Sequence, residues 1–283
     1  MKKIAIIPNP KKDVDFSVTE RVVKRLISLG AEVYLEKTVA LSDITGCHIY
    51  KDLPCEAELI IVIGGDGSIL DSSVVAIELG IPIIGINLGK VGFLSELEPD
   101  NLDMLEKITS GEYDIEEKML LITEKIGHEG KVTATRLAVN DVVISHSEFL
   151  GISEFTVEGV GGGVRYRADG VVIATPAGST AYSLSAGGPI VSHNLDSLLV
   201  TPVCPHSFFD RSILFSPEEK IKIKNTGSEV LNISIDGRRF DAILPGEECN
   251  IARADKRVKF MTFKKNSMFS TLFGKMKLLE DIK

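Results

Sequence analysis

The chain has no pair of cysteines at the spacing that zinc sites or redox motifs need. Cys47, Cys55, Cys204 and Cys249 stand far apart and form no C-x-x-C, so they read as four ordinary intracellular thiols. An excess of positive charge is missing too. With a formal net charge of −8 and a pI near 5.3, the surface is not one built to neutralise a nucleic-acid backbone, because such surfaces concentrate lysine and arginine. Any nucleotide partner is therefore expected to be small. No apolar run approaches the ~20 residues of a membrane span, and Pro8 and Pro10 interrupt "MKKIAIIPNPKK" too early for a signal-peptide core. A soluble, cytoplasmic protein with no membrane partner is the expectation. Internal repeats and low-complexity tracts are absent as well.

What the chain does have is apolar mass. Its 283 residues are 44% apolar, enough for a large core, and at ~150 residues per domain the length suggests two domains or one large one. The texture changes once. Up to about residue 100, strand-like runs ("KIAIIP", "AEVYLE", "LIIVIG", "IPIIGIN") alternate with helix-like segments, the pattern of a parallel sheet with crossover helices. From Ser17 to Leu29, Val18, Val22, Leu26 and Leu29 recur at helical spacing and Gly30 stands at the C-terminal cap. "PDNLDMLEKITSG" predicts a further helix between Pro99 and Gly111. Beyond it the period shortens to two, as in "VLNISID", and "KMLLITEKI", "TATRLAVNDVVIS", "SEFTVEG", "GVVIATP" and "EKIKIKN" make the next stretch β-rich. The expected organisation is an α/β domain over 1–100, a β-rich domain over 101–262, and a tail over 263–283 that forms a short helix against the first domain.

Two constellations carry chemistry. In "LIIVIGGDGSILDSS" a buried strand breaks into Gly64, Gly65 and Gly67 around Asp66, followed by Ser68. Glycine lets backbone approach a ligand closely, and the amides that open a following helix favour an anion, so phosphate is the natural visitor. Asp66 would then orient a hydroxyl, hold a metal, or both. The alternative is a glycine-rich turn whose aspartate only caps the helix. The loop is neither a Walker A motif nor a dinucleotide G-x-G-x-x-G.

The second constellation is "YRADGVVIATPAGSTAYSLSAGGPIV". A strand leads to Gly178, Ser179 and Thr180, Ala181 leaves room for a planar ring, Tyr182 offers an aromatic face, and Ser183 and Ser185 add hydroxyls. Arg167 and Asp169, two residues apart, would face one side of an extended strand, either as an ion pair or with duties divided between phosphate and ribose. Asn140 and Asp141 close another strand, where the amide can read a base edge and the carboxylate can accept from ribose hydroxyls. Singly, such residues are more often turn or edge features. Together they describe a nucleotide pocket.

These residues resemble those of the NAD kinases. "GGDGS", "INLGKVGFL", the Asn140–Asp141 pair and "DGVVIATPAGSTAYSLSAGGPI" are similar to that family's successive motifs, in order, over most of the chain. The resemblance implies an α/β N-terminal domain with a parallel sheet and a β-rich, sandwich-like C-terminal domain, with NAD bound between them. It implies transfer of the γ-phosphoryl group of ATP, or a phosphoryl group of inorganic polyphosphate, to the 2′-hydroxyl of the adenosine ribose of NAD, giving NADP, with a divalent cation such as Mg²⁺. Carried over by position, Asp66 is the catalytic aspartate and Gly67 its neighbour beside the dinucleotide. Gly64, Gly65 and Ser68 complete the phosphate loop. Asn140 and Asp141 hold the adenosine, Asp169, Thr180, Ala181, Tyr182 and Ser185 line the pocket, Arg167 is a basic residue beside it, and Phe93 lines the dinucleotide site. A homodimer or homotetramer is also implied, and the metal ligands are left unassigned.

The sequence departs from the family pattern at Ser68 and Ala177, where threonine is common, at Asp141, where glutamate is usual, and at Arg238, where some members carry glutamine. "GGDGS" alone also fits 6-phosphofructokinases and the diacylglycerol and sphingosine kinases, but "INLGKVGFL" stands where a phosphofructokinase would carry G-T-I-D-N-D, and the lipid kinases have no place for the long hydroxyl-rich motif. A non-catalytic dinucleotide sensor would keep the pocket and lose turnover; retention of Asp66 speaks against it.

Overall fold

Apolar strands that must be covered on both faces shape the first part of the chain. In the computed structural model, which describes residues 1–36, 39, 46–51, 53–54, 56–90, 92–146, 152–206 and 209–263, these runs become β1 (Lys3–Pro8), β2 (Glu32–Glu36), β3 (Cys47–Tyr50), β4 (Leu59–Gly64) and β5 (Ile83–Asn87). They lie in the order β5-β4-β1-β2-β3, and every pairing along that path is parallel. β4 and β5 are buried at every residue, as expected of central parallel strands sandwiched between helices. The short strand β3 was not anticipated.

The helices cross over between these strands. α1 (Ser17–Ser28) buries Thr19, Val22, Val23 and Leu26, close to the expected stripe, and ends at Gly30 with φ 77°. Its N-terminus is held by Asp13, a residue only 3% exposed. That carboxylate accepts from the Val18 amide at 3.2 Å and from the Thr19 amide and hydroxyl at 2.9 and 2.6 Å, satisfying donors the first turn cannot pair internally. α2 (Asp66–Leu79) follows β4 directly and stops at Gly80.

The compact units divide at Glu117/Lys118, and the chain returns to the first unit at Val258, so the boundary lies later than the change of texture near residue 100. The reason is packing. The expected helix after Pro99 forms as a 3₁₀ turn at Leu102–Leu105 running into α3 (Glu106–Ser110), and Leu102, Leu105 and Ile108 enter the first unit's core together with Met261. Apart from Phe263, the tail predicted as a helix lies outside the described residues.

The second unit is β-rich. Its strands are β6 (Asp114–Ile126), β7 (Val132–Ala138), β8 (Asp141–His146), β9 (Ser153–Gly159), β10 (Gly162–Ala168) and β11 (Gly170–Ala174). The one-turn helix α4 (Tyr182–Ser185) precedes β12 (Leu198–Val203), β13 (Ile213–Phe215), β14 (Lys220–Asn225), β15 (Leu231–Ile235), β16 (Arg238–Ile243) and β17 (Glu248–Thr262). One antiparallel layer runs β10-β9-β14-β17 and the other β13-β12-β11-β8-β15-β16. The core takes Phe155, Tyr166, Ile223 and Ile251 from the first layer and Val142, Ile144, Ile173 and Ile233 from the second, which is the sandwich-like arrangement expected. "TATRLAVNDVVIS" is not one strand. It breaks at Val139 and Asn140, because β7 pairs with β6 whereas β8 pairs with β11 and β15.

Replacing Asp13 by Ala strands the amides of Val18 and Thr19 in a buried turn. The expected cost is about 1–3 kcal/mol of unfolding free energy, read as a lowered urea midpoint, with Asp13→Asn milder because it keeps one acceptor.

Candidate functional site

In the first unit the site is built where β4 runs out. Gly65 is extended, at φ −111° and ψ −176°, and α2 begins at once with Asp66. A Cβ on Gly64 would lie 2.6 Å from Ser68 Oγ and 3.2 Å from Asn9 Cβ, so the glycine is what lets the loop from β1 lie against this turn. Asn9 Nδ2 donates to Ser68 Oγ at 2.7 Å. Asp66 does not cap its own helix. Its carboxylate oxygens accept from the amides of Phe93 at 2.8 Å and Leu94 at 3.1 Å, so the structure brings together two segments that the sequence left separate. The Phe93 contact seen here is made by backbone. Each carboxylate oxygen keeps a further acceptor position. Beside it, a Cβ on Gly67 would meet no atom within 4 Å, leaving open space at the start of a helix whose amides favour an anion.

In the second unit the turn between β7 and β8 is the centre. Asp236 gathers three successive amides of that turn, from Val139 at 2.8 Å, Asn140 at 2.7 Å and Asp141 at 3.1 Å. It does so from a left-handed backbone, φ 49°, with Gly237 at φ 76°, the tip of the β15–β16 hairpin. Thr175 adds a second lock: its hydroxyl donates to Val139 O at 2.7 Å and accepts from the Gly178 amide at 3.0 Å. A Cβ on Gly178 would lie 2.0 Å from Asn140 O, so the G-S-T turn rests on the Asn140 backbone and only glycine fits. Asn140 is thereby fixed while its Oδ1 is buried with no hydrogen-bond partner, an acceptor the protein leaves unused. Asp141 is 4% exposed. Burial, and then the Asp236 charge, push its carboxyl up to about 7, and burial raises Asp236 as well against the pull of its three amides.

The hydroxyls of the long motif divide their work. Ser179 Oγ donates to Pro176 O at 2.7 Å and accepts from the Val191 amide at 3.0 Å, and Ser183 Oγ meets Thr201 Oγ1 at 3.0 Å. Both are buried structural groups. Thr180 Oγ1 donates to Ala177 O at 3.1 Å, Ala181 is half-buried, Ser185 is exposed, and the Tyr182 ring is 46% exposed. A tyrosine packed in the core is thus excluded. Arg167 and Asp169 do not form an ion pair. Arg167 Nε lies 3.3 Å from Glu154 Oε1, and Asp169 sits beyond the end of β10, in the bend before β11, so the strand alternation that would align them has already ended. Sequence reasoning missed Asp236, Thr175 and Asn9. For Asp236 a signal was present, since Asp-Gly between alternating apolar residues marks a tight hairpin.

Comparison with known proteins bears on these two loops together. The ATP-NAD kinase N-terminal domain matches residues 4–113 and the ATP-NAD kinase C-terminal domain matches residues 139–263. The chain belongs to the ATP-NAD kinase family. It is 36% identical to an NAD kinase of Natranaerobius thermophilus, over 98% of each chain. It is 37% identical to one of Caldanaerobacter subterraneus subsp. tengcongensis, over 98% of this chain and 99% of that one. Among solved structures, yeast NADH kinase complexed with NADH superposes with a TM-score of 0.85 over 96% of this chain and 86% of that one, at 23% identity, a likeness of fold. An NAD kinase from Archaeoglobus fulgidus in complex with ATP gives 0.74 at 26% identity, over 98% and 99%. Family membership sets aside the phosphofructokinase and lipid-kinase readings of G-G-D-G, because both family domains match and the first carries that loop.

The buried carboxyl of Asp141 has a consequence for pH. Its folded value lies above the ordinary 3.8, so between about pH 4 and pH 7 the folded chain holds a proton that the unfolded chain has released. Its contribution to stability is full below that window and lost as pH rises through it. Asp141→Asn cannot ionise. Urea unfolding at pH 5 and pH 8 should show a smaller fall in stability for the variant than for the wild type, and equal falls would remove Asp141 from the buried pair.

Proposed function

We propose that the chain, an NAD-phosphorylating kinase by family, delivers the γ-phosphoryl group of ATP to the 2′-hydroxyl of the adenosine ribose of NAD, with Asp66 as the group that orients that hydroxyl and accepts its proton. The observation that carries the assignment of Asp66 is its placement. Two backbone amides fix its carboxylate at the mouth of a bare glycine turn, and the space beside Gly67 is open. Phosphoryl transfer through a loose transition state asks for positioning and charge neutralisation more than for early deprotonation, and a pinned carboxylate supplies positioning. The proton moves to Asp66 late, as the oxygen–phosphorus bond forms.

Adenosine recognition is assigned to the second unit. The unpartnered Oδ1 of Asn140 suits an amino group on a base edge, Asp141 suits ribose hydroxyls, and the exposed Tyr182 ring suits stacking. Thr180, Ala181, Ser185, Asp169 and Arg167 complete the wall in this reading, with Arg167 reaching ligand only if it leaves Glu154. Ser179 and Ser183 hold the motif's shape. A divalent cation, Mg²⁺ in our reading, would be held at Asp66 and would supply charge neutralisation of the donor phosphates. The loop offers it one carboxylate, Asp66, which suits an ion commonly held by one or two carboxylates, water and substrate phosphates. Inorganic polyphosphate is retained as a second donor. A cytoplasmic homodimer or homotetramer is part of the proposal and rests on the family resemblance; sedimentation of the purified chain tests the oligomer.

Asp66→Asn keeps one acceptor and turns the other towards a backbone amide as a donor, so it should lower kcat by roughly 10²- to 10⁴-fold and the thermal midpoint slightly, measured as NADP formed from NAD, ATP and Mg²⁺ and by thermal unfolding. Near wild-type turnover would end the role given to Asp66. Gly67→Ala separates folding from function. Its methyl meets no protein atom and alanine favours the helix by about 0.5–1 kcal/mol. Thermal stability should therefore hold or rise while kcat/KM falls, and an unaffected kcat/KM would show that no substrate uses that space.

A further inference from the structure

The loop after β1 carries a cation that nothing above has used. Asn9 fixes that loop: its amide donates to Ile63 O at 2.8 Å, its Oδ1 accepts from the Lys11 amide at 2.9 Å, and its carbonyl accepts from the amides of Lys12 and Asp13 at 3.0 and 2.9 Å. With Asn9 tied to Ser68 on one side and the buried Asp13 capping α1 on the other, Lys12 leaves a turn whose direction is set at both ends. Its side chain folds back over the glycine turn. A Cβ on Gly65 would lie 2.3 Å from Lys12 Nζ, and one on Gly89 would lie 3.2 Å from the same atom. Gly89 is held in turn by Asn87, whose Oδ1 accepts its amide at 2.8 Å.

We propose that Lys12 is a donor-phosphate-binding residue, its ammonium meeting the phosphate oxygens of the nucleoside triphosphate as they enter over Gly65 and Gly89. The inference rests on the proposed function and adds a residue that none of the motifs names. Three observations carry it. The ammonium makes no hydrogen bond or ion pair with any described residue, whereas Lys2 and Lys24 in the same unit find Tyr113 and Glu20. It lies against two glycines that leave the approach bare, next to the carboxylate assigned to the hydroxyl. The chain carries a formal charge of −8, so a polyanion needs a placed cation to come near Asp66. A lysine ammonium is a compact charge with three donors that can follow phosphate oxygens as they move, which a planar guanidinium does less easily. Asp66 then serves the acceptor hydroxyl and Lys12 the phosphoryl group passing to it.

The test uses full-length Lys12→Met and Lys12→Arg chains. KM is measured for ATP and for NAD, a non-hydrolysable ATP analogue is titrated calorimetrically, and thermal midpoints are recorded. Lys12→Met should raise KM for ATP and Kd for the analogue by roughly tenfold or more, the loss expected for a charge-assisted contact. KM for NAD and the thermal midpoint should be unchanged, and Lys12→Arg should recover most of the ATP affinity. Unchanged analogue binding in Lys12→Met overturns the inference. So does a rise confined to KM for NAD, which would assign the ammonium to the pyrophosphate of the dinucleotide, and so does equal loss on both substrates with a lowered midpoint, which would make Lys12 structural. The two readings fail separately. If the wild type forms NADP and Lys12→Met binds the analogue normally, only the inference falls; if the wild type binds the analogue through Lys12 and forms no NADP, only the kinase assignment falls.

Discussion

A half-buried carboxylate accepting hydrogen bonds from successive backbone amides is the interaction on which both loops depend. Asp236 takes three amides in a row from the turn between β7 and β8, and Asp66 takes two from the segment at Phe93. Val139, Asn140, Phe93 and Leu94 lie outside the strands, so no ladder takes up their amides and the carboxylates do. Leaving such a donor unpaired in a buried place costs about 1–3 kcal/mol. One side chain thus does for each loop what a strand neighbour does elsewhere.

The two units solve the burial problem differently, and the difference sets where each loop can be. In the parallel sheet the loops that matter follow β1, β4 and β5, and their strands are apolar almost throughout because helices cover both faces. In the antiparallel unit strands such as β15 alternate, with Leu231, Ile233 and Ile235 buried and Asn232 and Ser234 half-exposed, whereas β11 is buried at every residue. The bend at Asp169 carries the chain from one layer to the other, since β10 and β11 belong to different sheets. That change of sheet is the physical reason Arg167 and Asp169 end up with separate surroundings.

Much of this was legible in the chain. Strand runs, the α1 stripe, the glycine caps at residues 30 and 111 and the change of period rest on local patterns, and local patterns survive into the structure. The glycine turn between β4 and α2 was legible as a local break, because three glycines around one aspartate end a buried strand. The rest depends on partners distant in sequence. Asp236 lies 95 or more residues from the amides it holds, and Asn9 reaches Ser68 across 59. No periodicity announces such pairs. Serines 179 and 183 looked like ligand groups for the same reason: a hydroxyl in a small-residue run reads identically whether it faces a nucleotide or a neighbouring carbonyl. The compact units divide later than the change of period because the helix after Pro99 packs into the first core, which no local pattern announces.

The first unit is discontinuous in sequence. Its strand β5 finds a neighbour in the final residues of β17, with Phe260 opposite Ile83, and Met261 completes its core, whereas the second unit is finished by Arg257. During synthesis the order of completion is therefore inverted: the domain begun first closes last. The far end of β5 is covered early, since the Asn87 amide donates to Leu97 O and Gly85 O accepts from the Glu96 and Leu97 amides. Its start at Ile83 waits for residues 258–263, and until they leave the ribosome that short apolar stretch of edge has no strand beside it.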